Sequence, residues 1–220
     1  MSNNKMGFFS FKPNYWINEI NKEIPENFYE LRKIGENESE ICKLIREDSV
    51  KEFIAYMNKN SISCNKEIEL SIYETNSYFF DLKTDGMIPF LIPRITLIEY
   101  AAFFGSIQIF NFLKSEGAEL NSSLWFGAIH SKNAEIIHIL EENNIQPTIT
   151  VLNGFMRLKQ NSYKECFSYS IKCHNNDAVN YFLTNCPQNE DENPNEIFYQ
   201  SLEYYNFAFF QNELINESSF

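Results

Sequence analysis

An internal similarity limits the folds open to this chain. The segment "TLIEYAAFFGSIQIFNFLK", which begins at Thr96, aligns with "SLWFGAIHSKNAEIIHILE", which begins at Ser123, 27 positions later. A hydroxyl aligns with a hydroxyl at the start, and Leu97 aligns with Leu124 directly after it. A unit of this length cannot bury its apolar face alone, so neighbouring copies have to stack on one another.

Weaker copies extend the similarity in both directions. A further step of 42 residues from Ser123 reaches "ECFSYSIKCHNNDAVNYFL" at Glu165. Towards the C-terminus a copy begins at "SLEYYNFAFFQNEL" from Ser201, and upstream another contains "ICKLIREDSVKEFIAYM". The aligned apolar pairs are Phe209 with Ile109 and Phe210 with Phe110 in the C-terminal copy, and Val50 with Ile109, Phe53 with Phe112 and Ile54 with Leu113 in the upstream copy.

Each unit is predicted to form a helix, a break and a second helix. The hydroxyl of Thr96 is suited to cap the first helix, and Gly105 is suited to the left-handed residue that ends it. Ala101 and Ala102 allow two helix backbones to approach closely, so a larger residue at Ala101 would overpack the contact. The second helix carries apolar residues at helical spacing, Ile109, Phe110 and Leu113.

The segment "TLIEYAAFFGSIQIFNFLKSEGAELN" resembles one ankyrin repeat. The stretches "IELSIYETNSYFF" and "YKECFSYSIKCHNND" are also similar to a protist family of degenerate ankyrin proteins of unassigned function. The resemblance implies an all-α fold, an ankyrin-like solenoid of stacked antiparallel helix pairs. The implied organisation is an N-terminal cap or extension at 1–28 and an array at 29–220, with clear repeats at about 96–146 and weaker ones at 29–60, 162–186 and 197–220.

The spacing departs from the ankyrin pattern, which repeats every ~33 residues. The step of 27 residues shortens the connection before Ser123, where ankyrin proteins have a β-hairpin. We therefore expect hairpins that are shortened or absent. The following interval is longer by 15 residues, "TITVLNGFMRLKQNS", and is predicted to hold an extra helix or a loop.

The resemblance also implies which residues face the concave side and vary with the partner. Two interpretations of Phe103 and Phe104 stay open: they anchor a partner, or they pack against the preceding segment "MIPFLIPR". The implied partner-binding residues are Phe103, Phe104, His130, Ser131, Lys172 and Cys173, with Glu203 and Tyr204 as the next aligned pair.

Charge and cysteine usage restrict the partners and the compartment. The net charge is −12, and from Cys173 onward there are eight Asp or Glu residues and no Lys or Arg. Such a surface disfavours nucleic acids and anionic membranes. The chain has no signal-like apolar run, and "MIPFLIP" is too short to span a bilayer. The five irregularly spaced cysteines predict free thiols and a cytoplasmic location.

No catalytic constellation is recognisable. The three histidines, His130, His138 and His174, are not expected to face one another, and phosphate-loop, dinucleotide, hydrolase-elbow and zinc-protease motifs are absent from the sequence. A catalytic Cys166 or Cys173 would need a histidine nearby as base. We expect no metal, no cofactor and no small-molecule substrate.

The predicted function is a non-catalytic scaffold that binds a protein partner through the concave face. One alternative is an adaptor for a larger complex such as a ubiquitin ligase, which would use "IFYQSLEYYNFAFF" from Ile197 as a docking helix pair instead of an end cap. Another is an α-helical enzyme in which the repeats are coincidental. A pocket that holds His130 or Cys173 would favour the enzyme.

Overall fold

The described part of the chain is mostly helical. The computed structural model describes residues 26–69, 71–76, 94–153, 156–161, 163–185 and 196–208. The helices are α1 Phe28–Ile34, α2 Glu40–Arg46, α3 Val50–Lys59, α4 Leu97–Phe104, α5 Ile107–Ser115, α6 Leu124–Ser131, α7 Ala134–Glu142, α8 Tyr163–Lys172, α9 Asn176–Asn185 and α10 Glu196–Glu203. The strands are β1 Glu67–Glu69, β2 Arg94–Thr96, β3 Thr148–Asn153 and β4 Met156–Asn161.

The helices from α2 to α9 pack in consecutive pairs. Helix α2 contacts α3, α4 contacts α5, α6 contacts α7, and α8 contacts α9. The first helices of these pairs also contact one another in series, from α2 to α4, α6, α8 and α10. Within the described ranges, no helix has both the length and the apolar run needed to cross a bilayer.

Each first helix ends in the same way. The residue that follows it, or comes soon after, has a positive φ, and the next residue donates its backbone N–H to the carbonyl five positions back. The left-handed residues are Asp48, Gly105, Lys132, His174 and Tyr205. The bonds run from Ser49 to Leu44, from Ser106 to Ala101, from Asn133 to Ala128, from Asn175 to Ser170 and from Asn206 to Ser201.

These bonds fix how the copies align. Ser106 and Asn133 are 27 positions apart, and Asn133 and Asn175 are 42 apart, as the sequence similarity predicts. The upstream alignment was wrong by two residues, because Ser49 corresponds to Ser106 and the step is 57 instead of 59. Phe53 therefore corresponds to Phe110, and both side chains are fully buried.

Side chains at the start of the second helices join each pair to the one before it. The Nδ2 of Asn133 donates to the Gly105 carbonyl at 3.2 Å, and that of Asn175 to the Ile129 carbonyl at 2.9 Å. Asn206 repeats the bond, from its Nδ2 to the Ile171 carbonyl at 3.1 Å. Ser106 has the corresponding role one pair earlier, where its hydroxyl donates to the Ile45 carbonyl.

Small residues set the distance between α4 and α6. A Cβ added to Gly127 would lie 3.0 Å from the backbone nitrogen of Phe103 and 3.1 Å from the Cβ of Ala102. The first turn of α4 carries the predicted cap: the Thr96 hydroxyl accepts from the Glu99 N–H, and the Glu99 carboxylate accepts from the Thr96 N–H. This close approach lies between the first helices of two successive pairs, at Ala102.

The connections differ from expectation in one place. The connection at residues 116–123 contains turns and no strand. Strands β3 and β4, of six residues each, form an antiparallel hairpin in the interval where an extra helix or a loop was predicted. Hairpins are therefore not absent. The β-branched run "TITV" followed by Asn153-Gly154 is a strong hairpin signal that explains the difference. Strands β1 and β2 form a second, shorter antiparallel pair directly before α4.

Several predictions fall partly or wholly outside the described residues. They concern the cap at 1–28 up to residue 25, the segment "MIPFLIP", the aligned Phe209 and Phe210, and Cys186. The free-thiol prediction is confirmed for the cysteines that the structure does describe, Cys42, Cys64, Cys166 and Cys173.

Candidate functional site

The C-terminal ends of α4, α6 and α8 bring the predicted partner-binding residues together. Phe103 and Phe104 end α4, His130 and Ser131 end α6, and Lys172 and Cys173 lie at the end of α8. Their exposure differs widely. Phe103 is buried and Lys172 is exposed, whereas the other four are half-buried.

Phe103 belongs to the core of the protein. It is 2% exposed, and its ring stacks on the His130 imidazole with ring centroids 3.9 Å apart and planes 14° from parallel. Phe103 is therefore not the exposed anchor that the ankyrin pattern implied, because the following helix pair covers it. Phe103 packs against His130 of the following pair, whereas the predicted packing against "MIPFLIPR" falls on residues 87–93, which lie outside the described ranges.

Phe104 lies beside the preceding helix pair. Its ring centroid is 4.7 Å from that of Tyr100 and 5.9 Å from the guanidinium carbon of Arg46. The guanidinium also donates to the Tyr100 hydroxyl at 2.8 Å and pairs with the Glu36 carboxylate at 2.9 Å. A fixed cation over an aromatic face is attractive, so Arg46 and Phe104 form one surface feature.

His130 lies within contact distance of two groups on α8 and its C-terminal end. Its Nδ1 is 3.2 Å from the Tyr169 hydroxyl oxygen and 3.8 Å from the Cys173 sulfur. Burial, followed by the charge of Lys132, lowers the pKa of His130. Burial raises the pKa of the Cys173 thiol, and this effect outweighs the opposing contributions of Tyr169 and the nearby lysines.

This thiol and imidazole therefore favour their neutral forms at neutral pH. A reactive cysteine needs a thiolate, which usually comes from a lowered pKa beside a cation or a helix N-terminus. Cys173 contacts His130, but its pKa is raised instead of lowered. The contact alone therefore does not activate the sulfur. Among the described residues, no group of three or more His, Cys, Asp or Glu side chains is arranged to hold a metal ion.

The rim of this region is polar and partly basic. Lys172 and Lys132 are exposed, and the Ser131 hydroxyl donates to the Ala128 carbonyl at 3.2 Å.

The other two histidines have different surroundings. His138 is exposed on α7 beside Glu141 and Glu142, and the Nε2 of His174 lies 3.0 Å from the Tyr204 carbonyl oxygen.

Sequence reasoning missed three residues of the site: Arg46, Tyr100 and Tyr169. Arg46 occupies the position of Phe103 once the upstream step is taken as 57, and the signal for that step was the Ser or Asn that recurs directly after each left-handed residue. Tyr100 on α4 and Tyr169 on α8 occupy equivalent positions, each directly before the small residue of its helix. Each of them contacts the preceding helix pair.

Comparisons with known proteins give no further identification. No protein-family model, curated protein or solved structure matches this chain.

Proposed function

We propose that this chain is a non-catalytic scaffold, an ankyrin-like solenoid that binds a protein partner through the concave face of its first helices, in the cytoplasm. Support comes from the series of contacts from α2 to α10 and from the hydrogen bond that recurs after each first helix. In a solenoid each unit contacts its neighbours only, and the aligned units offer an extended binding surface.

The observation that carries the proposal is a row of side chains at the C-terminal ends of four first helices, α2, α4, α6 and α8. The row starts with Arg46 at the end of α2, continues through Phe104 on α4 and His130 on α6, and ends with Lys172 and Cys173 at α8. Aromatic rings and arginine are the residues that most often dominate the energy of protein interfaces. Phe104 beside Arg46 is the strongest such element, and Lys172 adds a positive charge to an acidic chain.

The test is affinity capture of the folded full chain with quantitative mass spectrometry. We compare the unchanged protein with Phe104→Ala and Lys172→Glu, and use His138→Ala on α7 as the control. His138 is exposed and lies outside the row. A protein partner should be lost or reduced about tenfold with the first two variants and retained by the control.

Two results would contradict the scaffold. One is a partner retained by both row variants although circular dichroism shows them folded. The other is a partner lost equally with His138→Ala, which would indicate that binding does not use the row. Phe103 is left unchanged in this design, because its burial would mix a loss of binding with a loss of stability.

The enzyme alternative rests on one observation, the approach of Cys173 to His130. The pKa of His130 is lowered and that of Cys173 is raised, and neither direction favours an activated thiol. The reactivity of Cys173 therefore distinguishes the enzyme from the scaffold.

A further inference from the structure

Residues 71–76 contact helix α1 through several hydrogen bonds, and we call this segment the strap. The Nη1 of Arg32 on α1 donates to two strap carbonyls, one of them that of Glu74, at 2.7 Å in both cases. The Thr75 N–H donates to the carbonyl of Gly35, directly after α1, at 3.0 Å. Among the described helices, α1 belongs to none of the consecutive pairs. The strap is therefore an important part of its attachment.

Apolar packing supports the same contact between the strap and α1. Tyr73 of the strap and Phe28 of α1 are both buried, and their ring centroids lie 5.6 Å apart. Gly35 allows the close approach, because a Cβ at this position would overlap the Thr75 hydroxyl. Its φ of +73° also favours glycine. The closed strap is thus a specific packed arrangement.

The closed strap buries one carboxylate. Glu74 is 0% exposed. Its Oε1 accepts from the Asn76 N–H at 3.1 Å, whereas its Oε2, also buried, has no hydrogen-bond partner within the described residues. A charged carboxylate loses its hydration on burial, and only paired oxygens compensate for that loss. The ionised form of Glu74 is therefore the unfavourable one in this position.

Three helices supply the charged and titratable groups around Glu74. They are Arg32 on α1, Cys42 and Arg46 on α2, and Tyr100 on α4. Both guanidinium groups attract the carboxylate, but Arg46 also pairs with Glu36, and Arg32 donates to backbone carbonyls. Cys42 and Tyr100 are neutral at neutral pH, because burial raises the pKa of each.

The balance of these effects gives the direction of the response to pH. Burial raises the pKa of Glu74, and this effect outweighs the opposing contributions of Asn76, Thr75 and Arg46. An open strap would return the carboxyl to water and to its usual pKa of 4.5. The closed strap therefore binds the proton more tightly than the open one. Closure is favoured most below about pH 4.5 and weakens as the pH rises towards the raised pKa.

We propose that the strap is a pH-sensitive latch, which holds α1 firmly while Glu74 carries a proton and opens more readily once Glu74 is ionised. Opening brings water to the carboxylate and breaks the bonds that Arg32 and Gly35 make with the strap. The geometric basis is a fully buried carboxyl group with one unpartnered oxygen, on a short segment that joins α1 to the first helix pairs. The latch acts on α1 and does not depend on whether the row of the proposed scaffold binds a partner.

The experiment is amide hydrogen exchange of the full chain by NMR between pH 4 and pH 7, corrected for intrinsic rates. The Thr75 N–H reports the strap, because its acceptor is the Gly35 carbonyl. We expect its protection to fall at least about threefold as the pH rises, and we expect Glu74→Gln to remove this change. The Ala102 amide in α4 is the internal reference for opening of the array and should not show the same fall.

Glu38→Gln is the matched control. Glu38 is an exposed carboxylate that accepts from the Ser71 hydroxyl, so this variant also loses a charge beside the strap. It should keep the pH dependence of the unchanged protein, because no buried carboxyl group is altered.

Four results would overturn the proposal. They are a Thr75 protection that does not change with pH, a folded Glu74→Gln variant that keeps the fall, a Glu38→Gln variant that loses it, and an Ala102 amide that falls in parallel with Thr75. If Glu74→Gln fails to fold, the comparison of Thr75 with Ala102 in the unchanged protein decides, since only a local latch gives them different pH profiles.

Discussion

His130 couples two helix pairs through an imidazole ring, which can take up a proton. Its ring stacks on Phe103, and its Nδ1 reaches the Tyr169 hydroxyl. Burial lowers the pKa of His130, so the folded state binds a proton less readily than the unfolded state. The contribution to stability is complete above the unfolded pKa of about 6.5 and is lost as the pH falls below that value.

We predict that His130→Phe reduces this dependence on pH. Phenylalanine keeps a ring against Phe103 but cannot take up a proton, so the variant should lose less stability than the unchanged protein between neutral pH and about pH 5. Urea unfolding at several pH values measures the difference. The free energy of unfolding at neutral pH is expected to differ between the two proteins, because the variant also loses the contact with Tyr169. Only its change with pH tests the prediction. Parallel pH profiles for the two proteins would show that His130 does not titrate in this way.

Cys173 should react slowly with alkylating reagents. Burial raises its pKa, so at neutral pH it holds less thiolate than a free cysteine does. We expect iodoacetamide to modify Cys173 at least about threefold more slowly than a cysteine in a short peptide, with a rate that rises only at more alkaline pH. Site-resolved mass spectrometry follows the reaction, and Cys173→Ser identifies the peptide. A rate above that of the free peptide would favour the enzyme alternative.

The sequence predicted every member of this row except Arg46, but it could not assign the exposure of each residue. Phe103 and Phe104 are adjacent and chemically identical, yet one is buried by His130 and the other lies beside Arg46. Both neighbours are distant in sequence, and Arg46 was aligned two positions away from its true equivalent. The ankyrin resemblance therefore implied the two candidates, and only the packed structure distinguished them.

The contact between α4 and α6 depends on the absence of a side chain at Gly127. In an exposed helix, Gly→Ala stabilises by roughly 1 kcal/mol. Here the added Cβ would lie 3.0 Å from the backbone nitrogen of Phe103, and a backbone atom cannot move aside cheaply. Helix propensity and packing thus act in opposite directions at this residue.

We predict that packing dominates and that Gly127→Ala destabilises the protein by about 1–3 kcal/mol. The midpoint of urea unfolding measures the change. Asn58→Ala on α3 serves as the control, because Asn58 is an exposed helical residue at which alanine should be neutral or slightly stabilising. A stabilised Gly127→Ala variant would mean that α4 and α6 can separate without cost.

At the level of elements, the sequence predicted helices better than connections. The α4–α5 and α6–α7 pairs follow from the 27-residue step, because the hydroxyl residue before the first helix and the apolar spacing both recur, although Lys132 replaces Gly105 as the left-handed residue. The hairpin of β3 and β4 was missed because the longer interval was read against the helical period, although its β-branched run and Asn153-Gly154 indicate strands. The short β1–β2 pair joins residues separated by a long interval, and no local signal predicts such pairing.

Across the whole molecule, contacts are distributed unevenly along the series of first helices. Helix α4 contacts α2 on one side and α6 on the other, and also packs on α5. Most of its side chains are fully buried, including Tyr100 and Leu97. Helix α10 contacts α8, and its Leu202 and Tyr199 are substantially exposed. Opening the protein from this end therefore exposes less apolar surface than opening it at the centre.

This difference predicts a gradient of hydrogen exchange along the described helices. If each pair is stabilised chiefly by its neighbours, the amides of α4 and α6 should be protected most, and those of α10 should exchange at least about tenfold faster. Exchange measured by mass spectrometry, corrected for intrinsic rates, tests this. Equal protection of α4, α6 and α10 would indicate one cooperative globular unit. In that case the helix pairs would not behave as stacked, separately opening layers, and the solenoid that underlies the proposed scaffold would lose its physical basis.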